Sequence, residues 1–486
     1  MTHQLPPSER EAMTLTGAAR LLAAGAIDAV GLATRCLDQI ARDEGAINAF
    51  IWHDREAALA RAGWADTQRR QRTAPLALLG IPMAHKDMFD LAGRRSTCGA
   101  AIRRDERPAG LATAVGRLEE AGAVTLGGLN MSEFAQGTTG HNRHFGDCRN
   151  PWNPAFVTGG SSSGSGAAVA SGMVLASLGS DSGGSIRIPA SCCGVTGLKP
   201  TYGRVSRFGV MPLAFSVDCI GPLARSARDC ALVMAAIAGP DPLDRTSSAA
   251  PVDDYCAVLD GARGGDLSDC RIGVPRNGFF EHVDTSVMDG FERAMDVLSG
   301  RGARLRAIDL PVMDVVAAYS AVVSRVELAS FHKPWMRGRP ADYGTSVSAR
   351  MYPAYAIPGV HYVEALRRRG AVLRAFASDV FSNVDLIAAP TIAQAVPTRA
   401  ETDVESGRPD AVVRFLSLSA NTRPFSYLGL PAISVPCGFD ASGMPVGLQL
   451  VGRPFAEARL LRAADAYQRD TDWHLLAPAG AAIASA

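Results

Sequence analysis

A chain of 486 residues, 47% hydrophobic and 20% charged, has ample apolar mass for a large buried core. Its 49 basic and 48 acidic side chains leave a formal charge of +1, which excludes an electrostatic nucleic-acid binder and points to a small, weakly charged partner. No apolar run approaches the length of a membrane span, and the ten cysteines show neither CxxC pairs nor histidines at zinc spacing, so buried reduced thiols and no metal are expected.

The opening MTHQLPPSER mixes proline and charge with no apolar core, unlike a secretory signal, so a cytoplasmic setting is expected. Apolar residues at helical spacing over 14–24 and 28–43, then a charged segment over 54–72, predict a helical layer within residues 1–75. Between Leu78 and Thr97 a short apolar strand runs into HKDMFDLAG, which places Lys86 at a strand end with Asp87 and a turn directly after it. His85, beside it, is expected to be structural. Gly110 to Ala121 predicts a helix and AGAVTLGGLN a strand, a βα rhythm that suggests a largely parallel sheet. Next comes the long irregular NMSEFAQGTTGHNRHFGDCRNPWNPAF, and long loops beside reactive clusters contact substrate, so Met131, Gly137, Thr138 and Thr139 are candidates for a substrate wall.

Gly159 to Gly197 carries two serine clusters, SSSGSG and DSGGSIR, separated by an alanine-rich segment about one helix and one strand long. In the second, Gly183 and Gly184 let successive main-chain N–H groups converge on one point, as oxyanion binding requires, and Ser185 follows as the candidate nucleophile. No histidine lies between His144 and His282 to serve as its base. The first cluster lacks the GK[ST] ending of a phosphate loop. Its GSSSG also matches a nucleophile elbow with Ser162 as nucleophile, but an elbow follows a buried strand, and RNPWNPAFVTG is too polar and proline-broken to be one.

Beyond Lys199 come segments flanking the clusters, then Pro, Asp and Ser-rich material over 240–266 that predicts a surface excursion. CRIGVPRNGFF and GARLRAIDLP predict strands on either side of a helix over 286–300, and 312–383 is helical in pattern. VDLIAAPTI, LPAISVPCGF and GLQLVGR predict buried strands, the last followed by an amphipathic helix. Asn421 and Thr422 are expected to fix turns.

LGIPMAHKD, GGSSSGSGAA, SDSGGSIRIP, LKPTYGRVS and NTRPFSYLGLPAISVPCGF together resemble the amidase signature family of serine hydrolases, in order, from about Leu79 to Tyr467. The resemblance implies an α/β/α sandwich, a central twisted mixed sheet flanked by helices, formed by residues 1–486 as a single domain. In it 79–230 would be the catalytic core, 240–400 the variable region shaping the pocket, and 401–486 the strands and helix that complete the core. It implies Ser185 as nucleophile, Ser161 in a cis peptide as proton relay and Lys86 as base. The N–H groups of Ser182, Gly183, Gly184 and Ser185 would form the oxyanion hole. Ser162, Ser180, Asp181 and Arg187 would support the site. Ser163 stands where the family has glycine, and Ser182 where threonine or another small residue is common. The expected reaction is cleavage of a carbonyl C–N bond in an amide, anilide or carbamate (urethane), without cofactor, metal, nucleic acid or membrane, by a monomer or homodimer. The alternatives are a non-catalytic binding member of the fold and a partner-dependent glutaminase subunit.

Overall fold

The computed structural model describes residues 14–71, 76–261 and 265–479. Eleven strands are named here in chain order. They are β1 (Phe50–His53), β2 (Pro82–Lys86), β3 (Val124–Leu129), β4 (Ala176–Asp181), β5 (Thr196–Lys199), β6 (Cys219–Ala224), β7 (Arg271–Pro275), β8 (Arg304–Ile308), β9 (Leu386–Pro390), β10 (Ala432–Phe439) and β11 (Pro445–Gly452). They form one sheet in the order β1-β3-β2-β4-β6-β5-β10-β11-β9-β7-β8.

The sheet is mixed rather than largely parallel. β2 runs parallel to β3 and β4, and β7 to β8 and β9, but every other neighbouring pair is antiparallel. A βα rhythm reports only the crossovers at the two flanks. At the centre β10 and β11 form a hairpin, and fully buried apolar runs carry no mark of strand direction. β1, four residues at the sheet edge running from buried Phe50 to exposed His53, has no expectation to match it.

Helices cover both faces because alternate strand residues point opposite ways. In β9, Leu386 and Ala388 belong to one apolar cluster while Ile387 and Ala389 belong to another. The first cluster is roofed by the helices Leu15–Ala23, Ala29–Ile47, Ala227–Ile237, Thr285–Gly300 and Glu457–Gln468, and the second by Met313–Gly338 and Gly359–Phe381. Asp28 caps its helix by accepting from Gly31 N, and Ser226 forms a reciprocal capping box with Asp229. The segment 240–266 is not wholly a surface excursion: its helix Tyr255–Asp260 buries Tyr255 and Leu259.

All ten cysteines are free thiols; nine are buried and Cys256 is half-buried. Among the described residues no helix is long and apolar enough to cross a membrane, and no group of three His, Cys, Asp or Glu side chains could hold a metal ion.

Candidate active site

Parallel pairing of β2 with β4, in the register Met83 to Ala176 and His85 to Leu178, brings their carboxyl ends to the same edge of the sheet. Such edges are where open α/β sheets place ligands. Lys86 ends β2 and is fully buried, and its Nζ donates to Ser161 Oγ at 2.7 Å and to Ser180 Oγ at 2.8 Å. Burial drops its pKa to about 7, with Asp218 and then Asp181 pulling weakly the other way. Strand alternation turns His85 to the opposite face, where neither ring nitrogen finds a partner, burial lowers its pKa to about 3, and Phe89 packs edge-on at 6.2 Å. It takes no part in the site.

The first serine cluster is a loop running into the helix Ser163–Ala170, and the Gly160–Ser161 peptide is cis. Small residues are required because the helix lies against backbone: a Cβ on Gly164 would sit 2.3 Å from Ala49 O. Ser163, which replaces the family glycine, donates to Asn130 O at 3.3 Å and so fits its buried position. Ser162 is buried and follows no strand; its Oγ bridges Ser180 O and Ser180 N. Ser162 N–H donates to Ser185 O at 3.2 Å, which ties the loop of Ser161 to the turn of Ser185.

That turn, residues 182–186, joins β4 to the helix Arg187–Cys193. Asp181 and Arg187, both fully buried, pair across it through Nε and Nη2 at 2.9 Å each. Arg187 also reaches Gln449 Oε1 at 2.7 Å and Ser426 Oγ at 2.8 Å, so it has no group to offer a substrate. Burial alone would raise the Asp181 pKa, but the guanidinium overrides it and holds the carboxyl at about 2.

One oxyanion assignment needs correction. The Gly184 N–H donates to Asp181 Oδ1 at 2.7 Å, leaving Ser182, Gly183 and Ser185 as main-chain candidates. Gly184 has φ +133°, and a Cβ there would meet Thr422 Oγ1 at 2.2 Å. Ser185 and Gly183 are part-exposed in an otherwise buried segment, so the turn presents the Ser185 hydroxyl to solvent.

Asp218 and Thr422 hold this turn and Arg423 lies against it, none of the three among the expected site residues. Asp218 accepts from Ser182 Oγ, from Leu213 N at 2.9 Å and from Ala214 N, and burial raises its carboxyl to about 6. Thr422 Oγ1 donates to Gly183 O at 2.7 Å, a step beyond the turn-fixing role expected of it. Arg423 lies beside Gly183. The sequence signal for Thr422 and Arg423 is their place in the NTRPFSYLGLPA block; for Asp218 it is an acid entering a buried strand in SVDCIGP.

Two cavities flank the centre. One, of about 520 Å³, is lined by Gly137 and Thr139 together with Gln136, His141, Arg350 and Phe415. It touches the reactive loop, since a Cβ on Gly160 would lie 2.8 Å from Gly137 O and 3.0 Å from Thr139 N. Met131 and Thr138 do not line it. Met131 is enclosed in the apolar core, and the Thr138 hydroxyl is spent on Phe415 O at 2.6 Å. The other cavity, of about 380 Å³, is lined by Met88, Ser180 and Asp218 beneath Phe208, Met211 and Phe215.

Residues 32–461 match the family model described as Amidase. The A subunit of the glutamyl-tRNA(Gln) amidotransferase of Roseiflexus sp. (strain RS-1) is 43% identical, over 96% of this chain and 98% of its own. A solved structure described as an unexpected vestigial protein complex, bearing on the evolutionary origins of an s-triazine catabolic enzyme, is 34% identical with TM-score 0.88, over 96% of this chain and 99% of its own. The crystal structure of the same amidotransferase polypeptide from Thermotoga maritima is 30% identical with TM-score 0.79, over 98% and 99%. With family model, relatives and sheet in agreement over nearly the whole length, the chain belongs to the amidase signature family, enzymes that act on C–N bonds.

Proposed function

We propose that this chain hydrolyses the C–N bond of a small amide through an acyl-enzyme on Ser185. The observation that carries the reading is the buried Lys86 amine, 2.7 Å from the Oγ of Ser161, whose loop is tied to the turn of the part-exposed Ser185 by the Ser162 N–H to Ser185 O bond at 3.2 Å. Lys86, neutral above pH about 7, accepts the proton of Ser161 while Ser161 accepts that of Ser185. Ser185 Oγ bonds to the carbonyl carbon, and the oxyanion takes hydrogen bonds from the N–H groups of Gly183 and Ser185, with Ser182 beside them. Collapse breaks the C–N bond, and the departing amine receives the proton back along the same relay. Water then attacks the ester by the same base, releasing a carboxylic acid and restoring Ser185. Asp181, Arg187, Ser162 and Ser180 hold the turn and loop in register.

Anilide and carbamate carbonyls would suit the same relay. A panel of matched amide, anilide, ester, urea and carbamate substrates, with Ser185→Ala as blank, tests the reading; an enzyme that cleaves only esters would sink it.

A second reading, the catalytic subunit of an amidotransferase, is favoured by the 43% identity to the Roseiflexus amidotransferase polypeptide along the full chain. On that reading the chain alone releases little ammonia from glutamine and gains activity with partner subunits. The hydrolase reading instead expects turnover by the purified chain.

A further inference from the structure

The cavity of about 380 Å³ is built onto the reacting centre from two sides. Its floor holds Ser180 and Met88. Ser180 Oγ accepts from Lys86 Nζ at 2.8 Å and donates to Met88 Sδ at 3.1 Å, so the sulfur stands two hydrogen bonds from the base. Its wall is the segment 207–217, in the connection between β5 and β6. Asp218, which takes the Ser182 hydroxyl of the oxyanion turn, also takes Leu213 N–H at 2.9 Å and Ala214 N–H at 3.1 Å. Met211 N–H donates to Met88 O at 3.1 Å, and Arg207 Nη1 donates to Phe215 O, which closes the segment on itself. One carboxylate thus fixes this wall and the oxyanion turn to each other. A group seated against the wall would be held in register with the reacting atoms.

The lining has no buried charge to spare for a ligand. Arg207 gives its main-chain N–H to Asp244 Oδ2 at 2.8 Å, Nη2 to Tyr202 Oη at 3.0 Å and Nη1 to Phe215 O, and its Nε lies 3.7 Å from Asp244. Asp244 also takes the N–H and hydroxyl of Thr246 at 2.9 and 2.6 Å, and Arg245 is exposed. What is left is apolar. Ile220 is enclosed, while Phe208, Phe215 and Leu243 stand 41%, 47% and 63% exposed along the same cavity. Three large apolar side chains left in water around one cavity gain by being covered. A thioether sulfur and phenyl rings both favour an aromatic occupant, and the volume suits one ring rather than an extended chain. Of the region 240–400 expected to shape the pocket, only Leu243, Asp244 and Arg245 line this cavity.

We propose that this cavity seats an aromatic ring of the substrate, between Met88 at the floor and Phe208 and Phe215 at the opening, and that the preferred substrates are aryl amides. The inference rests on Ser185 as the reacting centre and adds the class of group its substrate carries. The ring stands close to the carbonyl because the floor includes a partner of Lys86 and the wall is pinned to Ser182.

The test compares benzamide and acetanilide, which carry a ring on either side of the C–N bond, with acetamide, on wild type, Phe208→Ala/Phe215→Ala and Val360→Ala. Phe208 and Phe215 stand well out in solvent, so their removal spares the core; Val360, 71% exposed on the helix Gly359–Phe381, controls for loss of any exposed apolar side chain. Wild type is expected to favour one of the aryl amides over acetamide by at least about tenfold in kcat/KM, mostly through KM. The double variant should lower that ratio at least about fivefold, and Val360→Ala should leave it unchanged. A wild type indifferent to the ring, a ratio that survives the double variant, or an equal drop in Val360→Ala overturns the proposal. Binding of the same aryl amides to Ser185→Ala, read by ligand-observed NMR, separates the seat from the chemistry. An aryl amide that binds Ser185→Ala, is lost when Phe208→Ala/Phe215→Ala is added, and is not hydrolysed by wild type leaves the seat standing and sinks the hydrolase reading. Hydrolysis of acetamide and aryl amides alike does the reverse.

Discussion

At the scale of single residues the site depends on an amine held neutral by enclosure. Since Lys86 must lose its proton before it can accept one, kcat/KM should rise with pH through a midpoint of about 7 and level off above it. Asp218 favours the charged amine, so Asp218→Asn should move that midpoint to lower pH, a shift that a merely structural role would not produce. Ser185→Ala should cut turnover by at least about 10⁴-fold with an unchanged melting curve. Retained activity in Ser185→Ala, with loss in Ser162→Ala, would transfer the nucleophile to the first serine cluster. Thr422→Val removes the hydroxyl that holds Gly183 O, and should lower kcat by about tenfold with little change in KM if the turn is catalytic.

At the scale of elements, Arg187 and Asp181 join the end of β4 to Gln449 on β11 and to Ser426, across the middle of the sheet. Arg187→Met would leave a buried carboxylate without its counter-charge and should cost about 3–5 kcal/mol in denaturant unfolding. Gly164→Ala should fail to yield folded protein, since its new methyl meets main chain on both sides, Ala49 O at 2.3 Å and Asn130 N at 2.7 Å. What could be read from the chain follows the same division. Lys86 at a strand end and the DSGGS turn are local patterns, written within a few consecutive residues. Gly184 turning its N–H toward Asp181 depends on side-chain packing that spacing does not encode. Asp218 and Thr422 meet the oxyanion turn from 36 and 239 residues away, distances at which one sequence carries no pairing information. Met131 sits in a loop of the right character, but its own side chain faces the core. The edge strand β1, at four residues, is too short to show a period of two.

At the scale of the whole molecule, one eleven-stranded sheet runs from the N-terminal helices to the last helix, and Lys86 and Ser180 of the candidate centre sit on its inner strands β2 and β4. Size-exclusion and activity measurements on the same preparation should show whether the purified chain turns over substrate unaided or needs a partner polypeptide. The distribution of thiols has a use of its own. Burial raises every one of these thiols, Cys256 included, but nine are enclosed by packing and only Cys256 is half-buried, so the folded protein offers alkylating reagents essentially Cys256 alone. Brief exposure to iodoacetamide, counted by mass spectrometry, therefore becomes a clock for opening: one adduct marks an intact molecule, and ten mark one that has come apart.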